Sequence, residues 1–138
     1  MQREFSAGGI VFNSKGQVLI TQNSSNKYWG FPKGKIESGQ TSKETALREV
    51  KEEGGVEALI LEKIGDSKYV YTKDGEKIFK LVVMFLMKYL SGDPSLHDYE
   101  VSEANWYSYD EAMEKLSFKN DKELLIKASE KIKDYVGA

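Results

Sequence analysis

The chain has 138 residues, of which 40% are apolar and 12% aromatic, enough for one compact domain with a real core. The absence of cysteine excludes disulfides, thiolate zinc sites and a cysteine nucleophile. A net charge of −2 argues against a surface for long nucleic acid, so a polyanion would have to be bound locally, by a few lysines or by metal. Without a membrane-length apolar run or an apolar N-terminal signal region, we expect a single cytoplasmic domain over residues 1–138, with no membrane partner.

The first part of the chain is predicted to be rich in strands. Residues 5–12 and 17–22 form strands joined by a turn, which indicates a hairpin. A polar loop follows at residues 23–27. The next segment, residues 29–35, is dense in glycine, proline and aromatic residues and is unlike an ordinary helix or strand. Residues 36–40 form a loop that leads into a helix.

A helix is predicted from about residue 42 to residue 54. Thr41 and Glu44 have the spacing of a capping box. The pair Gly54-Gly55 ends the helix, because glycine readily takes the left-handed conformation that caps it. The helix has an apolar stripe that is expected to point into the core, formed by Ala46, Leu47 and Val50.

The second part of the chain predicts more strands and two further helices. Asp74-Gly75 is a hairpin signal between two β-rich runs. The apolar middle of the strand after it is expected to be buried on both faces. The predicted elements are strands at residues 56–64, 67–72, 77–89 and 104–107, a loop at 90–99, and helices at 108–116 and 119–135. This order predicts an α/β domain with a mixed sheet between helices.

Three glutamates of the first helix form a possible metal-binding face. Glu49, Glu52 and Glu53 are spaced i, i+3 and i+4, so they project to the same side. Like charges at this spacing destabilise a helix by about 0.2–0.5 kcal/mol, and their proximity raises the carboxylate pKa values. A hard divalent cation would offset this repulsion, and magnesium is the common choice beside phosphates. Taken alone, the three glutamates favour the alternative of a solvated helix face. The choice between a metal-binding face and a solvated face therefore depends on the surrounding segment.

The surrounding segment resembles the Nudix box, the signature of the Nudix hydrolase family. All but one of the specified positions of that box match, at the family's spacing: Gly34, Arg48, Glu49, Val50, Glu52, Glu53, Gly55 and Val56. Gln40 replaces a glutamate that supports the junction between loop and helix in the family, which puts the local electrostatics in doubt more than the metal site. Gly54 replaces the commoner threonine, at some cost in helix stability.

The resemblance implies a Nudix fold and a magnesium-dependent hydrolase, with manganese as a substitute metal. By resemblance, Glu52, Glu53 and the carbonyl of Gly34 would bind the metal with Glu49 nearby, and Arg48 would hold a box glutamate in place. The general base would be Glu49 or Glu53. Glu100 matches a position that often supplies an auxiliary ligand or base. Glu103 is the second choice for that role, and surface charge is the alternative for both.

A second set of residues resembles the substrate-binding positions of the dinucleoside polyphosphate branch of the family. Residues 29–37 are similar to that branch and to the messenger-RNA decapping branch. By resemblance, Lys33 and Lys80 would bind the polyphosphate, while Tyr71, and with less support Tyr69, would stack on a base. Phe118 would supply a second stacking face, although core packing explains Tyr69 and Phe118 equally well. The single histidine, His97, lies in a polar loop and is expected to be incidental.

These implications lead to three hypotheses about function. The first is hydrolysis of diadenosine tetraphosphate to ATP and AMP, by in-line attack of water on phosphorus. The second is a Nudix enzyme that acts on RNA 5′-ends or on single (deoxy)nucleoside triphosphates. The third is a domain that binds nucleotide without catalysis, but such a domain would be expected to lose the carboxylates that this chain keeps.

Overall fold

The computed structural model describes residues 2–136, which fold around one seven-stranded mixed sheet. The strands are β1 (Gln2–Phe12), β2 (Val18–Asn23), β3 (Trp29–Gly30), β4 (Lys33–Lys35), β5 (Val56–Lys73), β6 (Glu76–Gly92) and β7 (Val101–Tyr107). The helices are α1 (Ser42–Gly54), α2 (Tyr109–Lys115) and α3 (Lys119–Val136), with a short 3₁₀ helix at Pro94–Leu96. None of the helices in this range is long and apolar enough to cross a membrane.

Strand β1 is the centre of the sheet. It pairs in parallel with β6 along its whole length and antiparallel with both β2 and β4. The main path runs β3-β2-β1-β6-β5, and β7 is added to the sheet by pairing with β2. The predicted hairpins β1–β2 and β5–β6 are both confirmed.

The helices cover both faces of the sheet, because successive strand side chains point to opposite faces. Helix α1 packs on one face over a core formed by Ala7, Val11, Leu19, Ala46, Val50, Val56, Ala58, Phe85 and Met87. Helices α2 and α3 cover the other face, where the core includes Ile10, Phe12, Ile20, Met84, Leu86, Leu116, Leu125 and Ile132. The predicted α/β fold, a mixed sheet between helices, is confirmed.

Several strand boundaries differ from the predicted ones. The two strands expected at residues 56–64 and 67–72 are one strand, β5, whose register against β6 shifts between Lys63 and Gly65. The break indicated by Gly65 and Asp66 is therefore an irregularity within a continuous ladder, since pairing with β6 bridges it. The glycine-rich segment before α1 also contributes the two short strands β3 and β4.

Helix α1 begins and ends as predicted. Thr41 and Glu44 form both hydrogen bonds of the capping box, and Gly55 takes the left-handed conformation with a φ of 73°. The prediction that Leu47 points into the core is wrong, because the residue is 39% exposed. The helix face that meets the sheet is centred on Ala46 and Val50, four residues apart, and Leu47 lies at the edge of that face, where the rotation of α1 leaves it exposed.

The last residue of α1 packs tightly against the sheet. A Cβ added to Gly54 would lie 2.6 Å from Leu19 Cδ2 and 3.4 Å from Pro32 Cγ. Gly54, which was predicted to cost helix stability, therefore allows α1 to approach β2 closely. This contact fixes the glutamates of the last turns of α1 relative to the loop before β4.

Candidate active site

Glu49 is the least exposed glutamate residue of the box, with a residue exposure of 7%. Its carboxylate lies directly against Gly34 in β4, where any Cβ would overlap it. Glycine at position 34 is therefore required for this approach of β4 to α1. Burial raises the pKa of Glu49, and the neighbouring Arg48 guanidinium opposes that rise.

Arg48 joins two glutamates of α1 to the loop that precedes it. Its Nη1 atom lies 2.9 Å from Glu49 Oε1 and 3.1 Å from Glu52 Oε2. Its Nη2 atom donates to Gln40 Oε1 at 3.3 Å, and the same oxygen accepts from the Thr45 hydroxyl at 3.1 Å. The structure thus brings Gln40 next to the arginine, where it supplies an acceptor without adding a further negative charge.

Glu53 lies where the acidic face of α1 meets the neighbouring cavity. Its Oε1 accepts a hydrogen bond of 2.9 Å from the backbone N–H of Lys33. Burial raises the pKa of Glu53 to about 7, with smaller contributions from the charges of Glu49 and Asp98. A carboxylate with a pKa near neutrality is well matched to proton transfer at physiological pH.

Two acids of the loop before β7 approach the box from outside it. The charge of Glu100 contributes to the raised pKa of Glu49, after burial and the box neighbours. Asp98, which the sequence analysis missed, acts in the same way on Glu53, and its backbone N–H donates to the carbonyl of Glu52 at 2.8 Å. No motif marks Asp98; only its position two residues before Glu100 could have indicated it.

Neither Glu103 nor His97 is aimed at the box glutamates. Glu103 lies on β7 opposite Gln22, where its charge adds to the effect of burial in raising the pKa of Tyr107. The Nδ1 atom of His97 lies 2.8 Å from the carbonyl oxygen of Asp98. The geometry therefore favours Glu100 over Glu103 as the outside acid.

The donor chemistry of this cluster fits a hard divalent cation. Within residues 2–136, no three His, Cys, Asp or Glu side chains converge into a preformed metal cage. However, Glu49, Glu52 and Glu53 offer oxygen ligands, as magnesium prefers. Burial and mutual repulsion raise the pKa values of Glu49 and Glu53 and so disfavour their charged forms. Arg48 offsets this only in part at Glu49, and Lys33 only in part at Glu53. A bound cation would supply the missing positive charge.

A cavity of about 560 Å³ opens beside Glu53. It gathers all five residues predicted to bind substrate, which are Lys33, Tyr69, Tyr71, Lys80 and Phe118. Burial lowers the pKa of Lys80, and the positive charge of Lys33 lowers it further. Two lysines close enough to repel each other, in a partly enclosed space, are suited to a ligand that carries several negative charges.

Aromatic rings form the walls of this cavity. The ring of Phe118 lies edge-to-face with Tyr28 at 4.9 Å and with Tyr69 at 6.2 Å, measured between centroids. Tyr71, on the β5–β6 hairpin, donates its hydroxyl to Glu4 at 2.7 Å. Sequence reasoning missed Tyr28, because nothing in the local pattern separates it from a surface aromatic of a polar loop.

The sequence of this chain is similar to those of known proteins. The sequence model of the NUDIX domain matches residues 2–128. The chain is 34% identical to a Mycobacterium tuberculosis protein provisionally named mutator protein MutT4, over 94% of this chain and 56% of that protein. It is 31% identical to the 8-oxo-(d)GTP phosphatase of Mycolicibacterium smegmatis, over 79% of this chain and 32% of that protein. The chain thus spans little more than half of the first relative and a third of the second.

The fold is also shared with solved structures. An Ap4A hydrolase from C. elegans, crystallised as a binary complex, superposes with a TM-score of 0.73 at 20% identity. The superposition covers 94% of this chain and 97% of that chain. At this level of identity, the likeness establishes the fold.

Proposed function

The chain belongs to the NUDIX family, and from this premise we propose that it is a divalent-cation-dependent pyrophosphohydrolase of nucleoside polyphosphates. One observation carries the proposal: Glu53 belongs both to the acidic face of α1 and to the wall of a cavity that holds two lysines and several aromatic rings. Groups suited to a metal, to phosphates and to a nucleobase therefore adjoin one another.

Each of these groups has a separate role in the proposed reaction. A magnesium or manganese ion held by Glu49, Glu52 and Glu53, with the carbonyl of Gly34 and Glu100 as further ligands, would supply positive charge to the phosphates and lower the pKa of a bound water. The ammonium groups of the cavity, on Lys33 and Lys80, bind phosphate oxygens and orient the chain for in-line attack.

A carboxylate of α1 takes the proton of the attacking water. Glu53 and Glu49 are the two candidates, and both are held in place, Glu53 by the Lys33 backbone and Glu49 by Arg48. The water oxygen bonds to phosphorus while the bridging P–O bond breaks, and the departing phosphate retains the electron pair. Arg48 positions the carboxylates without touching the reacting atoms.

We favour diadenosine tetraphosphate, cleaved to ATP and AMP, as the substrate. Aromatic rings from separate elements line the cavity, among them Tyr71 on the β5–β6 hairpin and Phe118 just before α3, and so offer stacking faces for more than one base. The fold shared with the C. elegans Ap4A hydrolase is in keeping with this choice. Cleavage of single nucleotides is the second candidate, because the two relatives are named as a mutator protein and an 8-oxo-(d)GTP phosphatase.

A substrate panel with product identification tests the proposal. The purified protein with magnesium is incubated with diadenosine tetraphosphate, 8-oxo-dGTP, dGTP or a short 5′-triphosphorylated RNA, and the products are separated by ion-exchange chromatography. We expect ATP and AMP in equal amounts from the first substrate, and no turnover after chelation of the metal. Faster release of pyrophosphate from 8-oxo-dGTP or from RNA would show that this compound, and not diadenosine tetraphosphate, is the preferred substrate. Binding without turnover of any of them would leave only a nucleotide-binding domain.

A further inference from the structure

A buried aspartate of α3 lies behind the cavity and belongs to none of the groups described above. Asp121 is 3% exposed, and its Oδ1 accepts a hydrogen bond of 3.3 Å from the hydroxyl of Tyr69. Its other carboxylate oxygen, Oδ2, is buried and has no hydrogen-bond partner among the described residues. A buried carboxylate with one unsatisfied oxygen is costly and requires an explanation.

The ammonium group of Lys33 is a candidate partner for this oxygen, because it approaches the same glycine without forming an ion pair with Asp121 in this structure. A Cβ placed on Gly30 would lie 3.3 Å from Lys33 Nζ and 3.5 Å from Asp121 Oδ2. The two charged groups therefore flank the same small gap above the Cα of Gly30, which stays open because glycine has no side chain. The two groups also interact electrostatically, because burial raises the pKa of Asp121 and the charge of Lys33 acts against that rise.

We propose that Asp121 is a positioning residue that holds the ammonium group of Lys33 over Gly30, ready to receive a substrate phosphate. This inference rests on the proposed function, in which Lys33 binds phosphate. Lysine places a point charge at the end of a flexible four-carbon chain, so an anchor for the ammonium reduces the side-chain entropy lost on binding. Asp121 Oδ2 is itself buried, so it acts on the ligand through the lysine.

The structure offers a simpler role that the test must separate from this one. Asp121 lies in the first turn of α3, where a negative charge stabilises the helix whatever Lys33 does. A helix-stabilising role predicts that replacement of Asp121 has the same effect whether or not Lys33 is present. A positioning role predicts that the effect on ligand binding disappears once Lys33 is gone.

A double-mutant cycle on ligand binding makes this distinction. The probe is the magnesium complex of adenosine 5′-(β,γ-methylene)triphosphate, titrated calorimetrically into wild type, Lys33→Gln, Asp121→Asn and the double variant. We expect Lys33→Gln to weaken binding about 10-fold or more, the size of a lost hydrogen bond between charged groups. Asp121→Asn is expected to weaken binding about 3- to 10-fold, and the double variant should bind no more weakly than Lys33→Gln alone. An equal loss from Asp121→Asn in both backgrounds would overturn the proposal.

Two further variants sharpen the result. Gly30→Ala places a methyl group between the ammonium and the carboxylate, and should weaken binding as Asp121→Asn does. Glu123→Gln makes the same carboxylate-to-amide change on an exposed position of α3, beside Lys119, and should bind as wild type. With diadenosine tetraphosphate as substrate, Asp121→Asn should raise KM while kcat stays within about 2-fold, because the lysine acts in binding.

Unfolding measurements keep this inference separable from the proposed function. If no nucleotide binds or reacts, the proposed function fails. The Lys33–Asp121 interaction can still be measured by urea unfolding of the same four proteins without ligand. A change in the unfolding equilibrium on Asp121→Asn that differs between the two backgrounds supports the interaction. Strict additivity of the two changes would show that lysine and aspartate do not interact, and would refute the positioning role.

Discussion

The acidic face of α1 and the aromatic cavity beside it are assembled in different ways. Most of the first comes from one short stretch between Gly34 and Glu53, in which Arg48 bridges Glu49 and Glu52 and a backbone N–H holds Glu53. The second draws on residues as far apart as Tyr28 and Phe118, brought together by the sheet and α3. The groups proposed for the chemical step are thus encoded locally, whereas the groups proposed to select the ligand depend on the whole fold.

The largest expected effect belongs to the acidic face. Glu53→Gln removes a candidate metal ligand and base while keeping the size of the side chain, and we expect kcat to fall by about 10²- to 10⁴-fold. The fold should survive, because Glu53 is buried with a raised pKa and its uncharged replacement is the easier group to bury. Steady-state kinetics with diadenosine tetraphosphate and a thermal melt measure the two effects.

A matched control lies just beyond the helix. Glu57, at the start of β5, forms an exposed ion pair with Lys51. Glu57→Gln should leave kcat unchanged. Equal activity of the Glu53 and Glu57 variants would contradict the assignment of the metal site to α1.

A smaller effect is expected from the lysines of the cavity. Lys80→Met keeps the aliphatic stem but removes the charge, so kcat/KM should fall about 10- to 100-fold, the size of a lost hydrogen bond between charged groups. Lys77→Met, on the same strand at an exposed position, is the control. If both variants lose activity equally, the effect of Lys80 comes from overall charge rather than from a contact with phosphate.

Substitutions in the aromatic wall of the cavity are expected to have a somewhat smaller effect on activity. Phe118→Ala removes the central ring of the cluster with Tyr28 and Tyr69, and a lost stacking contact of about 1–3 kcal/mol predicts a KM raised about 10-fold. Phe118→Trp should restore most of the affinity. A KM that is unchanged in Phe118→Ala would indicate that this ring packs the wall without touching the base.

These two regions also differ in how far the sequence predicted them. The capping box of α1 and the common side of its three glutamates could be predicted from spacing, because residues i, i+3 and i+4 of a helix lie on one face, whereas the metal-binding role of these glutamates came from the resemblance to the Nudix box. Asp98, Tyr28 and Asp121 could not, since each reaches the site through strand pairing or helix packing between residues distant in sequence. The burial of Glu49 and the exposure of Leu47 depend likewise on how α1 is rotated against the sheet, which its own periodicity only approximates.

The strand errors have a similar cause. Gly65 and Asp66 have the local preference of a turn, yet pairing with β6 carries β5 through them with a shift in register. A Cβ at Gly65 would also lie 3.1 Å from Leu124 Cδ2 of α3, so a larger residue at this position would require Leu124 to shift. Tertiary contacts therefore override the local signal at this position.

Stability measurements should detect a more modest effect at Gly54. An alanine methyl there would meet Leu19, and overpacking of this kind typically costs about 1–3 kcal/mol, more than alanine gains in helix propensity. Urea unfolding of Gly54→Ala should therefore show a loss of stability. Combining it with Leu19→Val should recover part of that loss, and failure to do so would place the strain elsewhere.

The smallest effect expected is a pH dependence of stability at Asp121. Burial raises the pKa of this carboxyl above its unfolded value, so the native state binds the proton more tightly and its contribution to stability falls as pH rises through the raised pKa. Asp121→Asn cannot ionise. The stability of Asp121→Asn relative to wild type should therefore be greater at neutral pH than at about pH 4, near the ordinary pKa of aspartate. A difference that does not change with pH would contradict this, and Glu123→Gln is the control.

The close contact between Gly54 and Leu19 has a consequence for how this sequence can vary. The two positions share one fixed volume, so a relative that carries threonine at position 54 needs a smaller side chain at position 19 or a helix displaced from β2. We expect the sizes at these two positions to vary inversely among homologues. The same constraint links the spacing between α1 and the sheet to Leu19, a residue that lies outside the proposed metal and nucleotide sites.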